Sequence, residues 1–284
     1  MVVDAIDAAE AQRILDSPDL LAIGARADEA RRQMHGTRTT FVRVLELHVD
    51  AMPAALPDRL SAGECRLVGR PGSLSAAVGA VRAAVALAGG IPVTGFSLAD
   101  VRTLAGASLT AACDALRDAG LEAIAEIEVD LLDADASAVV GQVRSCGIAL
   151  TRLTVRSLLH ADRVATAARA RALQAETGGF RVFAPLPRAI SVSAPSTGYD
   201  DVKQVAMARL LAANIESIQV DWPLYGSKLA QFALTVGADD VDGVAAVDPG
   251  TLGTRRSPIE EIRGNIRSAG LEPVERNARF EAIG

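Results

Sequence analysis

AIAEIEVDLLDADASAVVGQVRSCGIALTRLTV, residues 123–155, changes its hydrophobic period twice. Ala123–Leu131 alternates apolar and polar side chains, the two-residue period of a strand with one face on a core. Ala134–Ser145 then spaces its alanines and valines for a helix, and Gly147–Val155 returns to the strand period. Strand, helix, strand over this length is a parallel crossover unit of roughly 30 residues.

The same alternation extends in both directions. Further strands are expected at Thr40–His48, Glu64–Arg70, Ile91–Phe96, Gly179–Pro185, Ser217–Trp222 and Asp242–Val247, which brings the total to eight. Helices fit between them at Ser73–Ala88, Leu98–Ala119, Ala161–Glu176, Tyr199–Ala213 and Gly226–Val236, with another at Ile259–Ala269. Eight such repeats predict an α/β fold, a (β/α)8 TIM-like barrel that is complete or nearly so. The opening segment, about Ala8–Met34, reads as helical with a break at Ser17-Pro18. Val49–Gly63 carries Pro53 and Pro57 and is too broken for a helix, so the first crossover is expected to be shortened. The domain reading is a single unit over 1–284: a helical extension at 1–38, the barrel at 39–255, and a terminal helix and tail at 256–284.

Composition narrows the function classes. Half of the 284 residues are hydrophobic, enough for a large core, while aromatics make up only 3%, so aliphatic packing must supply it and a base-stacking platform is not expected. Net charge is −6 and the 29 Lys and Arg are dispersed, which argues against nucleic acid as a partner. No apolar run approaches a membrane span and the first residues carry acids, so the expected compartment is the cytoplasm. Cys65, Cys113 and Cys146 are odd in number and far apart, a pattern of free thiols without a metal site. Asp239-Asp240-Val241-Asp242-Gly243 has the acids of half a calcium loop but lacks its closing Glu, and reads better as a strand entry.

The candidate site follows from strand alternation. Glu126, Glu128 and Asp130 share one face of their strand while Ile127, Val129 and Leu131 share the other, and the apolar face should meet the helices. The acids then point into the barrel. Arg152 and Arg156 are sent inward from the next strand by the same logic, and Gln219 and Asp221 from the seventh. Unpaired interior carboxylates each cost several kcal/mol, so these groups form either an ion-paired plug or a wet ligand site. Glu128, Asp130 and His48 are the catalytic candidates. His48 stands at the C-terminal end of a strand, the barrel face that carries chemistry. The ligand-binding candidates are Gly69, Arg70, Arg152, Arg156, Gln219, Asp221, Trp222 and Tyr225. Gly69-Arg70-Pro71-Gly72-Ser73 is either an anion cradle before a helix or a plain turn, and Trp222 and Tyr225 either pack or wall the mouth.

Certain stretches carry a family resemblance. Ala208-Arg209-Leu210, Asn214-Ile215, Trp222, Gly226, Lys228-Leu229-Ala230-Gln231 and Gly237-Ala238-Asp239-Asp240-Val241-Asp242-Gly243, supported by Glu176-Thr177-Gly178-Gly179-Phe180 and Pro273-Val274-Glu275-Arg276, resemble the aminofutalosine synthases. These are radical S-adenosylmethionine (SAM) enzymes of menaquinone biosynthesis, related to the cyclic dehypoxanthinyl futalosine and deazaflavin synthases. The resemblance implies a [4Fe–4S] cluster on a CxxxCxxC loop with SAM bound beside it. This chain departs from the pattern where that chemistry sits. Leu47-His48-Val49-Asp50 matches the first strand, but the cluster loop after it is missing. Gly69 is followed by Arg70 in place of a second glycine, and Glu126-Ile127-Glu128 falls on a triple-glycine segment with Asp130 on the following acid. The family's eighth-strand His has no counterpart around Val247–Gly253. The expectation is therefore a degenerate member with neither [4Fe–4S] nor SAM. It would bind a small molecule of the futalosine pathway, or associate with an active homologue or with itself. The alternatives are a non-radical acid–base enzyme of lyase or hydrolase type, and a purely structural subunit.

Overall fold

The structure, a computed structural model, is described for residues 5–58, 60–189, 196–247 and 258–283. Two helices lead in, α1 (Ala8–Asp16) and α2 (Leu20–His35), capped by Asp7 and Asp19, whose carboxylates accept from Glu10 N–H and Ala22 N–H. The break between them falls at Ser17-Pro18, as the proline requires. Strands β1 (Arg38–His48), β2 (Glu64–Val68), β3 (Val93–Ser97), β4 (Ala123–Glu128), β5 (Arg152–Val155), β6 (Val182–Pro187), β7 (Ser217–Asp221) and β8 (Asp240–Ala245) pair in parallel in chain order, and β1 pairs with both β8 and β2. The sheet closes into an eight-stranded parallel barrel.

Helices cover its outside: α3 (Leu74–Ala88), α4 (Leu98–Ala105), α5 (Leu109–Asp118), α6 (Ala136–Ser145), α7 (Arg163–Thr177), α8 (Gly198–Leu211), α9 (Trp222–Leu234) and α10 (Pro258–Ser268). α3 illustrates their construction. Ser73 caps its start, and Ala77, Ala80, Val81, Ala84 and Ala88 form a buried stripe at helical spacing. Small side chains there let the helix lie close to the sheet. The continuous helix expected over Leu98–Ala119 is two, because Gly106 and the cap Ser108 end one helix and start the next. α9 begins one turn earlier than expected, its start capped by Asp221 and its path kinked at Gly226.

One expected feature and one departure shape the barrel. The described residues between β1 and β2 hold no helix, and Leu60 bridges Val247 instead. The segment read as a tail contains a ninth strand, β9 (Glu272–Arg276), parallel to Arg38–Val42 of β1. β1 is long enough to hold β9 with its first half and β2 with its second half. Gly63 permits the approach, since a side-chain carbon there would stand 2.5 Å from the Arg276 carbonyl oxygen. No described helix is long and apolar enough to cross a membrane. The 255/256 boundary expected from sequence lies outside the described residues.

Candidate functional site

The barrel interior is charged and paired. Alternation in Glu64-Cys65-Arg66-Leu67 turns Glu64 and Arg66 inward and Cys65 and Leu67 toward the helices. Arg66 Nε donates to Glu64 Oε1 at 2.7 Å, and its two terminal nitrogens donate to Asp242 of β8 at 2.8 and 3.0 Å. Arg152 donates to the same two carboxylates, to Glu64 Oε1 at 3.3 Å and to Asp242 Oδ2. Thr94 adds a 2.6 Å bond to Glu64. Burial pushes the Glu64 carboxyl up, but Arg66 and Arg152 outweigh it and hold it at about 2; the Asp242 carboxyl is likewise held well below its ordinary value against burial. Arg188, just past β6, extends the network to Asp221, to Glu126 Oε1 at 3.4 Å and to Asp242 at 3.6 Å. Nearer the start of the strands, Arg276 of β9 clasps Asp240 with two 2.7 Å bonds, and Gln219 donates to the same carboxylate at 2.6 Å.

Several expectations for the site residues are met and others corrected. Arg152 and Gln219 point inward, but Arg152 pairs with Glu64 and Asp242 and not with the β4 acids. Those partners, together with Arg66 and Arg188, were absent from the sequence-derived site. Asp130 is not an inward strand residue: β4 ends at Glu128, and Asp130 sits in a 3₁₀ turn accepting from Arg156 N–H at 2.7 Å and Ser157 N–H at 2.9 Å. It holds a turn. Asp221 caps α9 through Leu224 N–H at 2.8 Å while bonding Arg188. His48 is exposed at the C-terminal end of β1 and does not line the cavities described among these residues. Arg70 lies on the surface beside Asp100 at 3.3 Å, leaving Ser73 a plain helix cap. Trp222 is half-buried against the core, and Tyr225 donates to the Pro187 carbonyl at 2.6 Å beside a separate cavity. His35 is largely covered and bonds the Glu216 carbonyl at 2.8 Å.

Open space remains at the C-terminal ends of β2, β3 and β4. A cavity of about 180 Å³ is lined there by Arg66, Gly69, Ser97, Asp100, Glu126, Glu128 and Arg156. Gly69 adopts φ +95°, a backbone shape that leaves this rim without a side chain. Glu128 is 3% exposed, its Oε2 has no hydrogen-bond partner among the described residues, and its Oε1 lies 3.9 Å from the half-exposed Arg156 guanidinium. Burial pushes this carboxyl up from its ordinary range, against the pull of Ser97 and Arg156. The arrangement supplies a carboxyl shifted by burial toward its protonated form, a flanking cation and room for a small polar molecule.

The thiols do not fit an iron–sulfur cluster. Cys65 is buried on the outward face of β2, Cys113 lies in α5, and Cys146 caps the end of α6, where its thiol bonds the Gln142 carbonyl at 3.3 Å. Burial pushes the Cys65 and Cys113 thiols up to about 11, toward the protonated form that ligates no iron. Among the described residues no three His, Cys, Asp or Glu converge as a metal site. Residues 248–253, where a counterpart of the eighth-strand His was sought, lie outside the described residues apart from Val247 at their edge.

Residues 184–283 match the CofH/MqnC C-terminal region. Among relatives, the aminodeoxyfutalosine synthase of Streptomyces coelicolor is 37% identical over 142 residues, which cover 43% of this chain and 37% of that protein. A 5-amino-6-(D-ribitylamino)uracil–L-tyrosine 4-hydroxyphenyl transferase of Methanosarcina barkeri is 30% identical over 51% of this chain and 44% of its own length. The chain thus spans less than half of either relative. Methylornithine synthase has the same barrel with a TM-score of 0.65 at 12% identity, covering 97% of this chain and 96% of its own. The [FeFe]-hydrogenase maturase HydG of Carboxydothermus hydrogenoformans scores 0.63, also at 12%, over 95% of this chain and 76% of its own. The CofH/MqnC-like part spans β6 to β9, which includes Arg188, Asp240, Asp242 and Arg276 of the interior network.

Proposed function

We propose that this aminofutalosine synthase-like barrel is a pseudoenzyme with respect to radical chemistry, binding a small polar molecule of the futalosine route to menaquinone in the cavity beside Glu128. The observation that carries this reading is the contrast in donor sets. The three buried thiols, on β2, α5 and the end of α6, do not form the three-thiolate loop a cluster needs, whereas Glu128 keeps an oxygen without a partner among the described residues beside an open cavity. The ion-paired interior supplies a firm base under that cavity. A thermal-shift titration with a single-ring, chorismate-derived enol ether tests the reading. A ligand at about 100 times its Kd stabilises by about 2.7 kcal/mol, a rise of several degrees in a chain of this size. Anaerobic reconstitution with iron and sulfide is the counter-test. A stoichiometric, reducible cluster that releases 5′-deoxyadenosine from SAM would end the proposal.

A second reading is favoured by the raised Glu128 carboxyl. A carboxylic acid that keeps its proton closer to neutrality can hand it to a leaving oxygen, while Arg156 stabilises the negative charge that develops. Turnover of this kind declines as pH rises through the Glu128 titration. Glu128→Gln abolishes it while Arg156→Lys weakens it.

A further inference from the structure

A second cavity, of about 220 Å³, lies outside the barrel between α7, α8, α9 and the end of β6. It shares no described residue with the Glu128 cavity. Its apolar wall includes Leu158, Leu186, Leu224 and Leu229. Its polar side is unusual for a protein interior. Gln204 is 1% exposed, and neither its amide oxygen nor its amide nitrogen has a hydrogen-bond partner among the described residues. Arg163 is 5% exposed; one terminal nitrogen donates to the Asp200 carbonyl at 2.9 Å, but Nε is unpartnered. Asp201 is also buried at this wall, and burial pushes its carboxyl up, against the pull of Ser196 and Arg163.

Buried polar groups are nearly always paired, because one left unpaired forfeits its hydration with nothing in return. Leaving three such atoms at one cavity is economical only when something else completes them. The Gln204 amide offers one acceptor and two donors, the pattern complementary to another amide. Arg163 brings a cation and Asp201 a carboxyl of opposite tendency, so the wall carries little net charge and favours a neutral guest. A volume below the roughly 300–1,000 Å³ of drug-sized sites limits the guest to about one ring.

We propose that this cavity binds a small neutral molecule with a carboxamide or lactam edge, the edge meeting Gln204 and Arg163 and the hydrocarbon part meeting the leucines. The test uses the full chain and benzamide, with benzoate and toluene as the charged and edgeless comparisons, read by calorimetry and by chemical-shift titration. Saturable binding of benzamide at least tenfold tighter than either comparison is expected. Gln204→Leu, which removes both amide atoms at similar volume, should weaken it at least tenfold, and Glu128→Gln should leave it unchanged. A density map of wild-type crystals soaked in benzamide should show its amide within hydrogen-bond reach of Gln204, a readout independent of how the variant folds. No saturable binding by wild type means that the cavity holds water only and overturns the proposal, as does equal affinity in Gln204→Leu or a soaked map with the amide turned away from Gln204.

Discussion

The barrel centre and the rim beside β4 are both rich in charge, yet they differ in how completely that charge is used. At the centre, both carboxylate oxygens of Glu64, Asp240 and Asp242 are engaged by arginines or neighbouring polar groups. At the rim, Glu128 keeps an oxygen without a partner and a cation only at 3.9 Å. Saturated charges hold strands in register; an unsaturated one is available to a guest. Net charge and burial alone do not tell the two apart, because Glu64 and Glu128 are nearly equally buried.

The sharpest way to break the comparison is to strip the centre. Asp242→Ala leaves Arg66 and Arg152 with Glu64 as their one shared carboxylate, and a loss of about 3–5 kcal/mol in urea unfolding is expected. A much smaller loss would show that the network is solvated and not structural. Next is acid. Glu64 has its folded-state value depressed from 4.5 to about 2, so its contribution is complete above pH 4.5 and is lost as pH falls toward 2. Stability measured across that window should fall more steeply in wild type than in Glu64→Gln, which starts lower at pH 7.

Glu128 carries the opposite sign. A raised folded-state value means that ionised Glu128 weakens the fold at neutral pH, so Glu128→Gln should gain on the order of 1 kcal/mol at pH 7, the gain fading as pH falls below the ordinary carboxylate range. Scanning calorimetry reads the gain, and the same variant should lose the cavity's ligand. Smallest of all is Arg70→Ala. Its side chain is 73% exposed beside Asp100, and a change within about 0.5 kcal/mol is expected by thermal melting.

The barrel was legible because period-two and period-3.6 stretches alternate, and alternation also sent Arg152, Gln219 and Glu128 to the correct side of their strands. It could not say which charges meet. A period assigns a face within one strand, while partners across a closed barrel depend on stagger, which brings β2 and β8 charges to Arg152. The same rule applied to Glu64-Cys65-Arg66 and Asp240-Val241-Asp242 would have found the missing members. Asp130 misled because the two-residue pattern runs past the point where the chain turns, and nothing in Val129-Asp130-Leu131 marks that turn. β9 was hidden by its brevity and by Pro273, which is tolerable in a strand at the edge of the sheet.

That late strand also sets a timetable. β1 precedes the other described strands in the chain, yet the neighbour of its first half and the arginine on Asp240 arrive only with residues 272–276. Until then the first half of β1 lacks one neighbour and Asp240 is held by Gln219 and Thr40 alone, so the ring that β1 closes with β2 and β8 gains its clasp only once residue 276 has been made, and an earlier stop would release a barrel without it.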